Sequence, residues 1–327
     1  MNTLRSPLWP DSRFNLTTPL HLLLVAACAL VGIVLYIRGY TYEGSVLVYM
    51  VGGIVFGWPY YAARYTGAMT VLVFASIVPA TIWLQNKAVE VGLWGYPEGK
   101  AYALGWFTQV GSGPWRWSRH LWLGNDMPVM EYLFYPAFCL FQVVLYALYS
   151  HLLPDRWFEE AQPRLRKLFP RVFVPITAVW LAIYFVFPNS RATDYAWWMM
   201  GCGYAITWAG WLRSPAFRAY TQCPAFWLWF LLMAVGFLPV WEAFHIGINH
   251  DWAWNIPNTF PAAYTFRGAS LPFHEFFGYF TSATTFQALM FFLIRRFGHD
   301  VVRDPSLVPF SRLALQGGSA ASSSRVA

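Results

Sequence analysis

Long apolar runs separated by short polar loops dominate the chain, and eight of them are long enough to cross a bilayer as helices, roughly 18–25 residues each. They cover about residues 19–37, 44–61, 66–84, 129–153, 171–188, 194–212, 224–244 and 272–294. Between the fourth and fifth, the stretch 155–167 is polar with Trp157, Phe158, Leu165 and Leu168 interleaved, which predicts a short helix lying in the membrane interface. Beyond Asp304 the chain turns to small polar residues such as Gly317-Gly318-Ser319, the composition of a disordered tail.

The fourth and eighth apolar segments open in the same way. One reads Met127-Pro128-Val129-Met130-Glu131-Tyr132-Leu133-Phe134-Tyr135, the other Leu271-Pro272-Phe273-His274-Glu275-Phe276-Phe277-Gly278-Tyr279. In each, Pro stands three residues before Glu, an aromatic follows the Glu, and Tyr comes four residues after it. A further pair precedes them: Gly92-Leu93-Trp94-Gly95-Tyr96 after the third segment and Asp251-Trp252-Ala253-Trp254-Asn255 after the seventh. The expected fold is therefore all-α, a polytopic membrane protein of about eight transmembrane helices in two tandem four-helix repeats. These would be residues 1–153 and 154–300, followed by the tail 301–327. An even number of spans keeps both repeats in one orientation, related by an axis along the membrane normal with a cleft between them.

Composition agrees. The chain is 57% hydrophobic and 11% charged, against about 25% charged for soluble domains. Charge then sets the orientation. Only Arg38, Lys87, Lys100, Arg116, Arg119, Arg191 and Arg267 fall in one set of loops, while the other Lys and Arg residues fall in the alternate set and at both ends. Basic residues concentrate on the cytoplasmic side. Both termini are thus expected in the cytoplasm, with the protein multi-pass in the cell's inner membrane and both motifs opening from the far side. The net charge of +7 is explained by these loops and by attraction of Arg156–Arg171 to phospholipid, so nucleic acid is not an expected partner. Cys28, Cys139, Cys202 and Cys223 lack paired spacing and read as packing residues. Val25-Ala26-Ala27-Cys28 faintly resembles a lipidation site, but the apolar run continues to Tyr36 as a retained helix would.

An acid inside a membrane helix is costly and invites a functional reading. Pro128 and Pro272 suit the first turn of a helix, with Glu131 and Glu275 about one turn inside. Apolar surroundings disfavour the charged carboxylate there, and the positive end of the helix favours it. Such a group can donate a proton to an isolated alkene, relay protons in a transporter, or simply cap the helix. Trp241, Glu242, His245, His250, Asp251 and His274 add polar groups near the second motif. They form an expected hydrogen-bonded cluster that holds Glu275 or takes a proton back. Glu242 and His245 share a helix face. His245, His250 and Asp251 lack zinc spacing, and His274-Glu275-Phe276-Phe277-Gly278 is not a zinc-protease motif. No glycine-rich nucleotide loop, P-loop or paired aspartate-rich motif is present in the sequence, so no cofactor is expected. The 28 Phe, 19 Tyr and 19 Trp exceed what interface belts require. An aromatic, water-poor cavity would stabilise a carbocation.

At these residues the chain resembles the heterodimeric or fused membrane type of lycopene cyclase. That family's modules carry a Pro-x-Glu-Glu segment opening a helix, aromatics after it, and an upstream Gly-x-Trp followed by another aromatic. Met127–Tyr135 with Gly92–Tyr96, and Leu271–Tyr279 with Asp251–Asn255, have that layout, so the resemblance spans both halves. One departure stands out: the first acid of the pair is Met130 in one copy and His274 in the other. The resemblance implies a non-redox isomerase that closes rings in a carotenoid or other isoprenoid, or in a terpenoid relative. Glu275, assisted by His274 and Glu242, would start the reaction, and Glu131 would do the same in the first half or merely stabilise charge. Trp94, Tyr96, Tyr132, Trp241, Trp252 and Phe276 would line the substrate site. The alternatives are a proton-coupled transporter, a non-catalytic membrane partner, or a hydratase in which water captures the cation.

Overall fold

A computed structural model describes residues 18–64, 78–95, 129–154, 156–186, 190–254, 260–267 and 269–297, and these are mostly helical. The principal helices are α1 (Thr18–Ile37), α2 (41–64), α3 (Val78–Glu90) and α4 (Val129–Leu152), then α5 (Leu168–Val186), α6 (Arg191–Arg213), α7 (Pro215–Tyr220), α8 (Pro224–Asn249) and α9 (Phe273–Phe297). Among the described residues, three helical stretches are long and apolar enough to cross a membrane: Pro19–Ile37, Leu168–Val186 and Pro224–Asn249. Their surfaces suit lipid. Leu23, Leu30 and Ile37 on α1, Phe185 and Val186 on α5, and Val235 and Val240 on α8 all stand exposed. Soluble proteins rarely leave apolar patches of that extent uncovered. The tail after residue 300 and most of the expected third segment lie outside the described residues, while α3 itself continues to Glu90, beyond the limit expected at 84.

Two compact units divide the chain, residues 1–90 with 96–152 and residues 91–95 with 153–327. In the first, α1 meets α2 at a glycine pair. A Cβ on Gly44 would fall 2.6 Å from the Gly32 carbonyl oxygen, so only glycine allows the two backbones this close. Helix α4 carries Pro136 internally and buries Phe141, Val143, Val144 and Tyr146.

In the second unit, α6 and α9 pack along a seam of small and hydroxyl-bearing residues. A Cβ on Gly203 would sit 2.8 Å from the Thr281 Cβ. Across the same seam the Thr207 and Thr284 hydroxyls are 3.0 Å apart, and Thr285 donates to the Gly203 carbonyl at 3.0 Å. Threonine satisfies its hydroxyl there by bonding to helix carbonyls and to the opposite helix, the usual glue between helices that have no water to turn to. The α6 helix starts at a capping box: Ser190 accepts from the Thr193 N–H, and the Thr193 hydroxyl receives the Ser190 N–H. None of the four cysteines forms a disulfide; Cys139 and Cys223 are buried, but Cys202 faces outward from α6.

Two departures from a purely helical expectation matter. The stretch 155–167 is not one interfacial helix but a single turn at Arg156–Glu159 and a tight turn at Pro163–Leu165. Phe158 is fully buried against Tyr220 of α7, and the Gln162 N–H is tied to the Gln222 carbonyl, so this segment packs into the protein. The second departure is strand structure. Short strands β1 (Trp94–Gly95) and β2 (Ala253–Trp254) pair antiparallel, and β3 (Ala262–Phe266) with β4 (Ala269–Pro272) forms a hairpin leading into α9. Arg267 turns the hairpin with a φ of 51°. Phe266 then packs on the end of α8, where a Cβ on Gly247 would lie 2.4 Å from its ring.

Candidate active site

The C-terminal end of α8, the β1–β2 pair and the start of α9 assemble a buried polar cluster within the second unit. Helix α8 is irregular here. Leu232–Phe237 and Ala243–Asn249 form π-helical turns on either side of Pro239, a widening of the helix that often re-aims side chains at functional sites. His250 then adopts a left-handed conformation, φ 57°, and stops the helix. That reversal returns the Asp251 N–H to the His245 carbonyl at 2.9 Å. It also brings the two side chains together, His245 Nδ1 lying 2.6 Å from Asp251 Oδ2, both residues fully buried. Asn249 Nδ2 donates to the same Asp251 oxygen at 3.1 Å. The His245 ring lies between indoles, with Trp252 stacked at 4.8 Å and 14° and Trp241 at 4.0 Å.

Glu242 stands one turn earlier on α8. Its Oε1 accepts from two indoles, Trp252 Nε1 at 3.1 Å and Trp254 Nε1 at 2.9 Å. Hydrogen bonds to a carboxylate are roughly twice as strong as neutral ones. Two residues apart, both indoles reach the same carboxylate oxygen, and pairing fixes Trp254 opposite Trp94, with the two rings edge to face at 5.2 Å.

Helix α9 supplies the other half. Pro272 ends strand β4 instead of occupying the first helical turn, and the Phe273 N–H is bound by the Pro261 carbonyl at 2.8 Å. This anchors the helix start through the hairpin. His274 is fully buried, edge-on to Trp254 at 5.2 Å and beside Phe260 at 5.2 Å, and neither ring nitrogen has a hydrogen-bond partner among the described residues. Glu275, in the first turn, buries an Oε2 that also has no partner among the described residues, and it feels the charge of Glu242. One turn further, the buried Tyr279 hydroxyl is equally without a partner among them and interacts electrostatically with both acids.

Glu275, His274 and Glu242, expected as catalytic residues, thus lie in one cluster, and Trp94, Trp241 and Trp252 border it. Phe276 packs on Tyr279, at 5.9 Å. Within the expected cluster His245 bonds to Asp251, while Asp251 and Glu242 accept from Asn249, Trp252 and Trp254 outside it; among the described residues none of these bonds reaches Glu275, and His250 faces outward. Tyr96 and the side chains of Glu131 and Tyr132 lie outside the described residues. Trp254, Asn249, Phe260 and Tyr279 were not expected as site residues. The alternation Trp252-Ala253-Trp254 is the signal that could have identified Trp254. In the first unit Glu43, at the start of α2, is 3% exposed, and its neighbour Tyr42 packs on Phe134 of the first motif at 5.9 Å. No motif marked that acid.

Two carboxyl groups therefore sit in aromatic surroundings with different support. One collects two N–H donors on a single oxygen, while the other buries an oxygen that receives none among the described residues. Such a pair can separate the tasks of holding a negative charge and delivering a proton. Comparison with protein-family models, with curated proteins and with solved structures found no match.

Proposed function

We propose that the chain is a membrane-embedded, cofactor-independent cyclase of carotenoids or other isoprenoids, similar to the membrane type of lycopene cyclase. Glu275 in its acid form protonates a terminal alkene, a second double bond of the same molecule attacks the resulting cation, and loss of a proton leaves a ring. Glu242, fixed by Trp252 and Trp254, supplies negative charge, and the surrounding indoles stabilise the cation through their ring faces. His274 shapes the floor under the acid, and Glu131 acts likewise in the first half. The observation that carries this reading is a buried Glu275 oxygen with no partner among the described residues, near a carboxylate held by two tryptophans. Buried polar groups are almost always hydrogen-bonded, and exceptions call for a functional account.

The wider reading is of about eight transmembrane helices in two tandem repeats, multi-pass in the inner membrane with both termini in the cytoplasm. It rests on the two motif copies and the uneven Lys/Arg distribution. Its substrate enters from the lipid bilayer. The test is expression in a lycopene-producing cell followed by isoprenoid analysis. Ring-containing products from the wild type and none from Glu275→Gln are expected. Proton flux through the protein with the isoprenoids unchanged would replace this reading with the transporter.

A further inference from the structure

The cyclisation chemistry needs a base as well as an acid, and the buried His245–Asp251 pair belongs to no step assigned so far. Its protonation is legible from its bonds. Asp251 Oδ2 accepts the Asn249 amide at 3.1 Å and lies 2.6 Å from His245 Nδ1, an arrangement in which a carboxylate takes the Nδ1 hydrogen. In the neutral ring the lone pair then belongs to Nε2. A carboxylate behind an imidazole fixes this tautomer and stabilises the imidazolium formed when the ring takes a proton, the logic of acid–histidine pairs in general. Packing reinforces it: Trp252 and Trp241 hold the ring between them, and the Asp251 N–H returns to the His245 carbonyl.

Trp252 also couples this pair to the acids. Its ring face stacks on His245 while its Nε1 binds Glu242, which interacts with Glu275. Acid and base thus occupy one aromatic cluster at the outer end of α8 and the start of α9.

We infer that His245, oriented by Asp251 and Asn249, is the base that removes the proton ending the reaction. This rests on the cyclase reading above. The Glu275 O–H bond breaks as a new C–H bond forms on the terminal alkene carbon, leaving a carboxylate and a tertiary cation. Ring closure forms one C–C bond and moves the positive charge onto the ring. His245 Nε2 then takes a proton from the carbon next to the cation, and the electrons of that C–H bond become the new ring double bond. Return of that proton from the imidazolium to the Glu275 carboxylate resets the site, and no electrons are gained or lost overall. Which neighbouring proton is removed decides where the ring double bond lies, so His245 is a specificity-determining residue.

The experiment uses membranes containing the full chain, with lycopene, squalene and geranylgeraniol supplied as separate probes. It compares wild type, His245→Gln, Asp251→Asn and Trp252→Phe. His245→Gln and Asp251→Asn should lower turnover at least tenfold. They should also redistribute product among ring double-bond isomers and water-captured alcohols, because the cation outlives its base. Trp252→Phe keeps the stacked ring but removes the bond to Glu242, and it should slow turnover while leaving the isomer ratio unchanged. A merely structural role for His245 would reduce all products in proportion. An unaltered ratio in either variant of the pair therefore overturns the inference, and Asp251→Asn carries the test alone should His245→Gln not accumulate. Absence of any cyclised or hydrated product from the wild type with all three probes overturns the cyclase reading itself, a result distinct from the ratio test.

Discussion

Helix α9 contrasts two ways of keeping polar groups inside a protein. Along its middle, Thr281, Thr284 and Thr285 face α6, and each hydroxyl has a partner: a carbonyl on its own helix, the Gly203 carbonyl, or the Thr207 hydroxyl. At its start, less than two turns earlier, His274, Glu275 and Tyr279 are buried with polar atoms that have no partner among the described residues. The same helix therefore holds a seam of paired threonine hydroxyls and a mouth whose polar atoms have no partner among the described residues. A fold selected for stability alone would close the second as it closed the first. Local rules are broken at functional sites, where the cost is carried by the rest of the structure.

The contrast should break most sharply at Glu275. Glu275→Gln keeps the shape and removes the acid. Turnover of a cyclisable isoprenoid is expected to fall by about 10²–10⁴-fold, the usual contribution of a positioned proton donor. Thermal unfolding of the purified protein should stay within a few degrees of wild type or rise. A large fall in stability with activity retained would show that the mouth is structural after all.

The seam should answer in the opposite way. Gly203→Leu forces a side chain onto Thr281, where even a Cβ meets an atom at 2.8 Å, and a loss of about 1–3 kcal/mol in stability is expected. Activity and folded yield should fall together, as read by detergent-resistant size-exclusion profiles alongside turnover. Trp254→Phe is a finer probe of the mouth. It removes one of the two N–H groups on Glu242, a bond to a charged group worth about 1.5–3 kcal/mol. Turnover should drop roughly tenfold, with the larger share of the effect in kcat. Thr207→Val is the smallest change, deleting one interhelical hydroxyl contact at about 0.6 kcal/mol. It should lower the unfolding midpoint slightly and leave turnover unchanged.

How much of this was legible depended on whether the information was local. The apolar runs marked where helices lie, because a helix in lipid must be apolar over its own length. Glu242 and His245 could be placed on one face from their spacing, and Glu275 from the repeated motif. The hairpin 262–272 left weaker traces. Ala262-Ala263-Tyr264-Thr265-Phe266 lacks clean alternation, and its pairing with Ala269–Pro272 depends on a left-handed residue, Arg267, that no propensity marks. Trp254 stands in the repeated stretch, but its position depends on pairing with Trp94, far away in sequence. The Asp251–His245 bond likewise depends on the reversal at His250, a backbone event invisible in spacing alone. Phe158 was misread because alternation of apolar and polar residues does not reveal whether lipid or Tyr220 receives the ring.

The hairpin that fixes the start of α9 has a consequence for biogenesis. Glu242 reaches the growing protein on α8, before the residues that will bind it and before the helix bearing Glu275 has been made. Trp252 and Trp254 follow within a few residues and can claim the first carboxylate at once. The second acid, by contrast, meets the first only after β3 and β4 have folded back and Phe273 has docked on Pro261. Glu242 and Glu275 therefore leave the ribosome well apart in the chain. They come together only once β3 and β4 have paired and α9 is anchored.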